Sequence, residues 1–177
     1  MSRRGLKVKF KFSQQRLLDG LLCLAVTLFL AVGFYVELAL GVSPCLLCLL
    51  QRASWLALWI CFFLLACFNW PRWFRSAIEG IIFAWGILGV FWASRQVWLQ
   101  VAAANAPDKH FACLPNAYFL IEHTPASTIM QMALAGTDDC ALVHWTLGGI
   151  SMAWWSLVAF AIVLSILLGR WVRRHYF

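Results

Sequence analysis

Four long apolar runs, separated by two short polar breaks and one long polar segment, organise the chain. They cover about 17–40, 46–68, 77–99 and 145–169. A helix needs about 20 apolar residues to cross the hydrocarbon core, and these runs lack the period-two alternation of membrane strands. The pattern predicts an all-α integral membrane protein, a four-transmembrane-helix bundle forming one membrane domain over 1–177. Gly41-Val42-Ser43-Pro44 joins the first two runs so tightly that they must be antiparallel neighbours. A second short turn carries Pro71, Arg72 and Arg75. The connection over 100–144 holds Pro107, Pro115 and Pro125 and forms a long second outer loop, within which 127–135 predicts a short interfacial helix. Tails of 1–16 and 170–177 flank the spans, and no internal repeat is visible.

Composition removes a soluble alternative. Of the 177 residues, 63% are hydrophobic and only 12% charged, about half the share usual in soluble domains. So much apolar surface has to face a lipid bilayer. The net charge of +7 does not point to nucleic acid, because the basic residues gather at span ends rather than along a stripe with stacking aromatics. Arg3, Arg4, Lys7, Lys9, Lys11 and Arg16 precede the first run, Arg72 and Arg75 follow the second, and Arg170, Arg173 and Arg174 follow the fourth. The other side holds Lys109 in its loops, with Arg52 and Arg95 near span ends. Positive-inside bias then puts both termini in the cytoplasm and the long loop outside. Ala39-Leu40-Gly41 faintly resembles a cleavage site, but the first run exceeds the 7–15 residues of a signal h-region and reads as a retained span.

Seven cysteines sort by depth. Cys23, Cys61 and Cys67 fall within spans, where a free Cys behaves as a small hydrophobe. Cys45, Cys48, Cys113 and Cys140 fall on the outer side, where disulfides persist. Cys45 and Cys48 form a Cys-x-x-Cys at the start of the second span, after Pro44. Haem attachment needs His where Leu49 stands. A zinc ribbon needs a second pair of like spacing, and a thioredoxin domain needs a βαβ pattern. A redox pair at a helix N-terminus remains, where the first N–H groups are expected to lower a thiol pKa. Arg52 lies four residues beyond Cys48, on the same helix face and about 6 Å deeper. At that depth a guanidinium either snorkels outward or holds a polar ligand beside Cys48. Cys113 and Cys140, with 26 residues between them, either brace the loop or exchange with the first pair.

Together these residues resemble the DsbB family of bacterial disulfide-bond-formation proteins, over nearly the whole chain. The segment from Gly41 through Pro44, Cys45, Leu47 and Cys48 to Gln51 and Arg52 is similar to that family's G-x-x-P-C-x-L-C-x-x-[QE]-R signature. Arg95-Gln96-Val97-Trp98-Leu99-Gln100, and Cys140, Trp145 and Gly149-Ile150-Ser151-Met152, resemble further family stretches. The resemblance implies that Cys45, Cys48, Cys113 and Cys140 are catalytic. A periplasmic thiol oxidase of the DsbA type would be the partner, attacking at Cys113, with ubiquinone or menaquinone as the final acceptor. It implies that Arg52 lines the quinone site with Met152 and Trp145 nearby, in a multi-pass protein of the bacterial cell inner membrane. Some members carry a His after the third span; here the stretch reads Val101-Ala102-Ala103-Ala104, so neither His110 nor His123 is brought into the site. Glu37 reads as an interfacial carboxylate.

Two other classes compete. A four-span scaffold braced by loop disulfides explains Cys113 and Cys140 but leaves Cys45, Cys48 and Arg52 without a role. A thiol-based metal-binding or transport protein should carry polar residues through its span centres, which are nearly empty of them. Vitamin-K-epoxide-reductase-like proteins place their active Cys-x-x-Cys late in the chain, whereas here it comes early.

Overall fold

The computed structural model describes residues 3–41, 44–105, 117–136, 138–143 and 145–176. Four long helices carry the fold: α1 (Arg3–Leu40), α2 (Leu46–Cys67), α3 (Arg72–Asn105) and, last in the chain, α7 (Met152–Tyr176). Each contains a stretch long and apolar enough to cross a membrane, which in α1 is Gln14–Leu40. Between α3 and α7 come α4 (Ala117–His123), α5 (Ala126–Ala135), α6 (Asp138–Ala141) and the strands β1 (Thr146–Leu147) and β2 (Ile150–Ser151). The predicted four-helix membrane bundle is thus the architecture. The turn residues Val42 and Ser43, and His110, Cys113 and His144 of the long loop, lie outside the described residues.

Boundaries moved where local chemistry overrode hydropathy. The fourth span begins at Met152 rather than at 145, because Gly148 and Gly149 adopt φ of 62° and 80°. Positive φ at both central residues is what a tight two-residue hairpin turn demands, and it pairs Thr146 with Ser151 and Leu147 with Ile150. The third helix outruns the predicted 77–99 at both ends, since nothing between Pro71 and Pro107 breaks it and Val101-Ala102-Ala103-Ala104 favours helix. The second ends at Cys67, one residue short, with Phe68 as its extended cap. The predicted loop helix is α5, one residue longer at its start; α4 and α6 were not anticipated.

Helix α2 packs against α1 and α3, and α3 packs against α7. Mid-bundle, Trp55 of α2 stacks on Phe160 of α7 with ring centroids 3.9 Å apart, and its indole N–H donates to Ser156 Oγ at 3.1 Å. Phe29 of α1 closes the other side of the indole at 4.9 Å. Phe160 can lie there because α3 offers Gly89, where a Cβ would come within 2.3 Å of the Phe160 ring. Phe160 is fully buried and has nowhere to retreat. Gly89→Ala is therefore expected to destabilise the bundle by about 1–3 kcal/mol through overpacking, read as a lower thermal midpoint in detergent. Gly80→Ala on the same helix, with nothing within 4 Å of its Cβ, should leave that midpoint unchanged or raised.

At the end carrying both termini, several arginines do more than mark orientation. Arg16 donates to the terminal α2 carbonyls, Nη2 to Ala66 O at 2.9 Å and to Cys67 O at 3.2 Å, filling acceptors that a helix end leaves open. Asp19, wholly buried, accepts from Arg75 of α3 and from Arg170 of α7 at 2.6 Å. Arg170 and Arg174 both reach Glu79 at 2.8 Å. One ionic cluster thereby ties α1, α3 and α7 together.

Candidate functional site

The opposite end of the bundle holds Cys45, Cys48 and Cys140. Cys45 caps α2 with extended backbone (φ −75°, ψ 167°), and its sulfur accepts the Cys48 N–H at 3.3 Å. The predicted redox pair thus opens a helix, with the two sulfurs 2.7 Å apart. Cys140, delivered by α6, is buried in the same cluster and hydrogen-bonds the Cys45 thiol. Sequence-distant cysteines from α2 and from the outer loop therefore meet at Cys45.

The expected lowering of a thiol pKa by the helix N-terminus does not hold at Cys45. Its thiol is pushed well above the usual range, first by the hydrogen bond with Cys140, then by that with Cys48 and by burial. One long N–H···S contact does not outweigh a site where neighbouring thiols compete for a single charge and water is excluded. Cys45 is held as a thiol.

Gln96 of α3 is the polar group nearest this pair. Its side-chain amide donates to Cys48 Sγ at 3.2 Å and to Cys45 Sγ at 3.5 Å, while its carbonyl accepts from Gln51 Nε2 at 2.6 Å. Gln51 thus aims the Gln96 NH2 group at the sulfurs. Neither glutamine is a site residue by sequence alone, although an uncharged polar side chain within a membrane span is the kind of signal that marks a functional position.

Arg52 neither snorkels nor stands alone. Its guanidinium pairs with Glu37 of α1, donates to Gly33 O at 2.9 Å and lies over the Phe34 ring at 5.1 Å. Glu37 is accordingly more than an interfacial carboxylate: its other oxygen accepts the Tyr118 hydroxyl of α4 at 2.6 Å. Arg52 also borders a cavity of about 120 Å³ between α1, α2, α3 and α7. Cys45, Cys48, Trp145 and Met152 line the same space, and Trp55 and Ser156 form its inner wall. The predicted site residues within the described range therefore converge, three cysteines on one side and Arg52, Trp145 and Met152 around one void. A cavity of roughly 150 Å³ holds a benzene ring, and this space approaches that size, with polar donors at its edge.

The outer segments are fastened by side chains of the spans. Arg95 of α3 donates to the last carbonyls of α5, Leu134 O at 2.6 Å and Ala135 O at 3.4 Å, and packs on Trp98 at 4.5 Å. Ser151 of β2 donates to Gln100 Oε1 at 2.8 Å, and Trp155 Nε1 donates to Leu147 O at 3.2 Å. These contacts set the hairpin, and with it Trp145, over the cavity.

A four-span membrane protein with a vicinal dithiol capping a helix, a third cysteine against it and a ring-sized cavity alongside defines a membrane thiol-disulfide redox protein. A family model described as "Disulfide bond formation protein DsbB" matches residues 15–169. The chain belongs to the DsbB family of disulfide bond formation proteins. It is 33% identical over 164 residues to Disulfide bond formation protein B of Acinetobacter baylyi, covering 90% of this chain and 92% of that one. It is 37% identical over 162 residues to the protein of that name from Marinobacter nauticus, covering 90% and 94%. Against the one from Xanthomonas axonopodis pv. citri the figures are 35% over 154 residues, 86% of each chain. No solved structure matches.

Proposed function

We propose that the protein is a dithiol:quinone oxidoreductase that reoxidises a periplasmic DsbA-like dithiol oxidase and reduces ubiquinone or menaquinone. The observation that carries this reading is that Cys48 and Arg52 border one ring-sized cavity while Cys45 touches Cys140 of the outer loop. In the proposed cycle the partner's dithiol reduces a Cys113–Cys140 disulfide and leaves oxidised. Cys140, now a thiol, exchanges with the Cys45–Cys48 disulfide, reforming the loop disulfide and leaving a Cys45/Cys48 dithiol. A bound quinone supplies a two-electron, two-proton sink, so that loss of two electrons and two protons restores the Cys45–Cys48 disulfide.

The chain's own groups fit these tasks. Gln96 donates to both sulfurs and so stabilises negative charge as either becomes a thiolate. Arg52 presents a cation to the cavity, where charge on a ring oxygen grows during reduction. Trp145 and Met152 limit water beside the dithiol. The cysteine-bearing end then faces the periplasm, with both termini cytoplasmic, in the bacterial inner membrane. Purified protein is expected to oxidise a reduced DsbA-like partner only when quinone is supplied. Arg52→Ala should raise the quinone KM about ten- to hundredfold, as loss of a charged hydrogen bond does. Equal partner oxidation without quinone, or an unchanged quinone KM and kcat in Arg52→Ala, would overturn the reading.

A further inference from the structure

Glu37 links the cavity to the outer loop through its two carboxylate oxygens. Oε2 accepts from Arg52 Nη1, at the cavity edge, and Oε1 accepts from Tyr118 Oη, on α4. Arg52's further contacts, Gly33 O and the Phe34 ring, also belong to α1, so α1 sets the direction in which the guanidinium points. An arginine side chain has many rotamers open to it, and one this close to a span end otherwise has a path outward to water. Glu37, near the outer end of α1, and Gly33 O, one turn deeper, grip the guanidinium together and so fix it against that path. The carboxylate is in turn held by Tyr118, and α4 packs on α5, which leads to Cys140 in α6. The Tyr118 hydroxyl is pushed above the ordinary tyrosine range by its bond to Glu37, so it remains a proton donor at neutral pH.

We propose that Glu37 is a positioning residue that presents Arg52 to the cavity, and that its bond to Tyr118 makes this presentation depend on α4 being seated, coupling the redox loop to the quinone site. This rests on the quinone reading above. The Tyr118–Glu37–Arg52 chain connects the two halves of the reaction without touching sulfur. Linkage then requires the reverse effect: an occupied cavity favours the seated loop to the same extent that the seated loop favours occupancy.

Steady-state kinetics of the full chain in detergent with a short-chain ubiquinone analogue test this. Glu37→Gln should raise the quinone KM roughly tenfold with much less effect on kcat, as expected for a lost charged hydrogen bond. Tyr118→Phe should raise it about threefold, the scale of a neutral hydrogen bond, and the double variant should be no worse than Glu37→Gln alone, because the connection is already cut. In hydrogen exchange, the analogue should slow exchange of the 117–123 amides in the wild type and not in Tyr118→Phe. Multiplying effects in the double variant, or 117–123 amides indifferent to the analogue, would overturn the coupling. Should Glu37→Gln fail to assemble, Tyr118→Phe decides through its KM and the exchange experiment. An Arg52→Ala defect with normal Glu37→Gln and Tyr118→Phe defeats this inference alone; normal quinone kinetics in Arg52→Ala defeat the quinone reading itself.

Discussion

Cys45→Ser is expected to reduce quinone-dependent oxidation of the partner to the uncatalysed background. Among the cysteines brought together here, Cys45 touches both Cys48 and Cys140, so it is the junction between the loop and the cavity. Serine is nearly the same size and is itself a favoured N-cap, so α2 should still start where it does. A hydroxyl cannot take part in thiol-disulfide exchange, however, and the route is cut at its centre. The measurement is loss of quinone absorbance with reduced partner in excess, alongside a melting curve to show that the bundle persists. Cys23→Ser, Cys61→Ser and Cys67→Ser, on side chains remote from this cluster, should turn over normally. Full activity in Cys45→Ser would mean that electrons do not travel through α2's N-terminus at all.

The second large effect belongs to stability, at the other end of the molecule. Asp19→Ala is expected to cost about 3–5 kcal/mol of unfolding free energy, the scale found when one member of a buried ion pair is removed. Asp19 is wholly buried between Arg75 and Arg170, and without it Glu79 is the remaining acid that the described ion pairs set against Arg75, Arg170 and Arg174. Denaturation in mixed detergent micelles would read the loss. Replacing Asp19 by Leu together with Arg75 and Arg170 by Met should cost far less, because no buried charge is then stranded. A loss below about 1 kcal/mol in Asp19→Ala would place this cluster with ordinary surface ion pairs.

Apolar run length alone identified all four spanning helices, because lipid tolerates few backbone solutions. Their ends were less legible, since they depend on side chains that meet only after folding. The Gly148–Gly149 turn overrode an uninterrupted apolar run, and Arg16, Arg75 and Arg170 looked like orientation marks although they are bonded to helix ends and buried acids. At the site, spacing placed Cys45, Cys48 and Arg52 on one helix, and the family resemblance nominated Trp145 and Met152. Spacing could not reveal that Cys45 would be crowded by a third thiol, which reverses the expected direction of its pKa. Nor could it bring Glu37, Gln51 and Gln96 to their partners, because each contact joins different helices.

Arg95's grip on the end of α5 sets a tether. While the Leu134 and Ala135 carbonyls are held, Cys140 hangs from Gly136 by four residues, and a fully extended chain of that length reaches about 14 Å. Cys140 therefore stays within that radius of the end of α5, buried beside Cys45, while α5 keeps its place. Prising α5 from Arg95 would widen that radius, so the grip on two carbonyls limits how far the loop sulfur can part from Cys45.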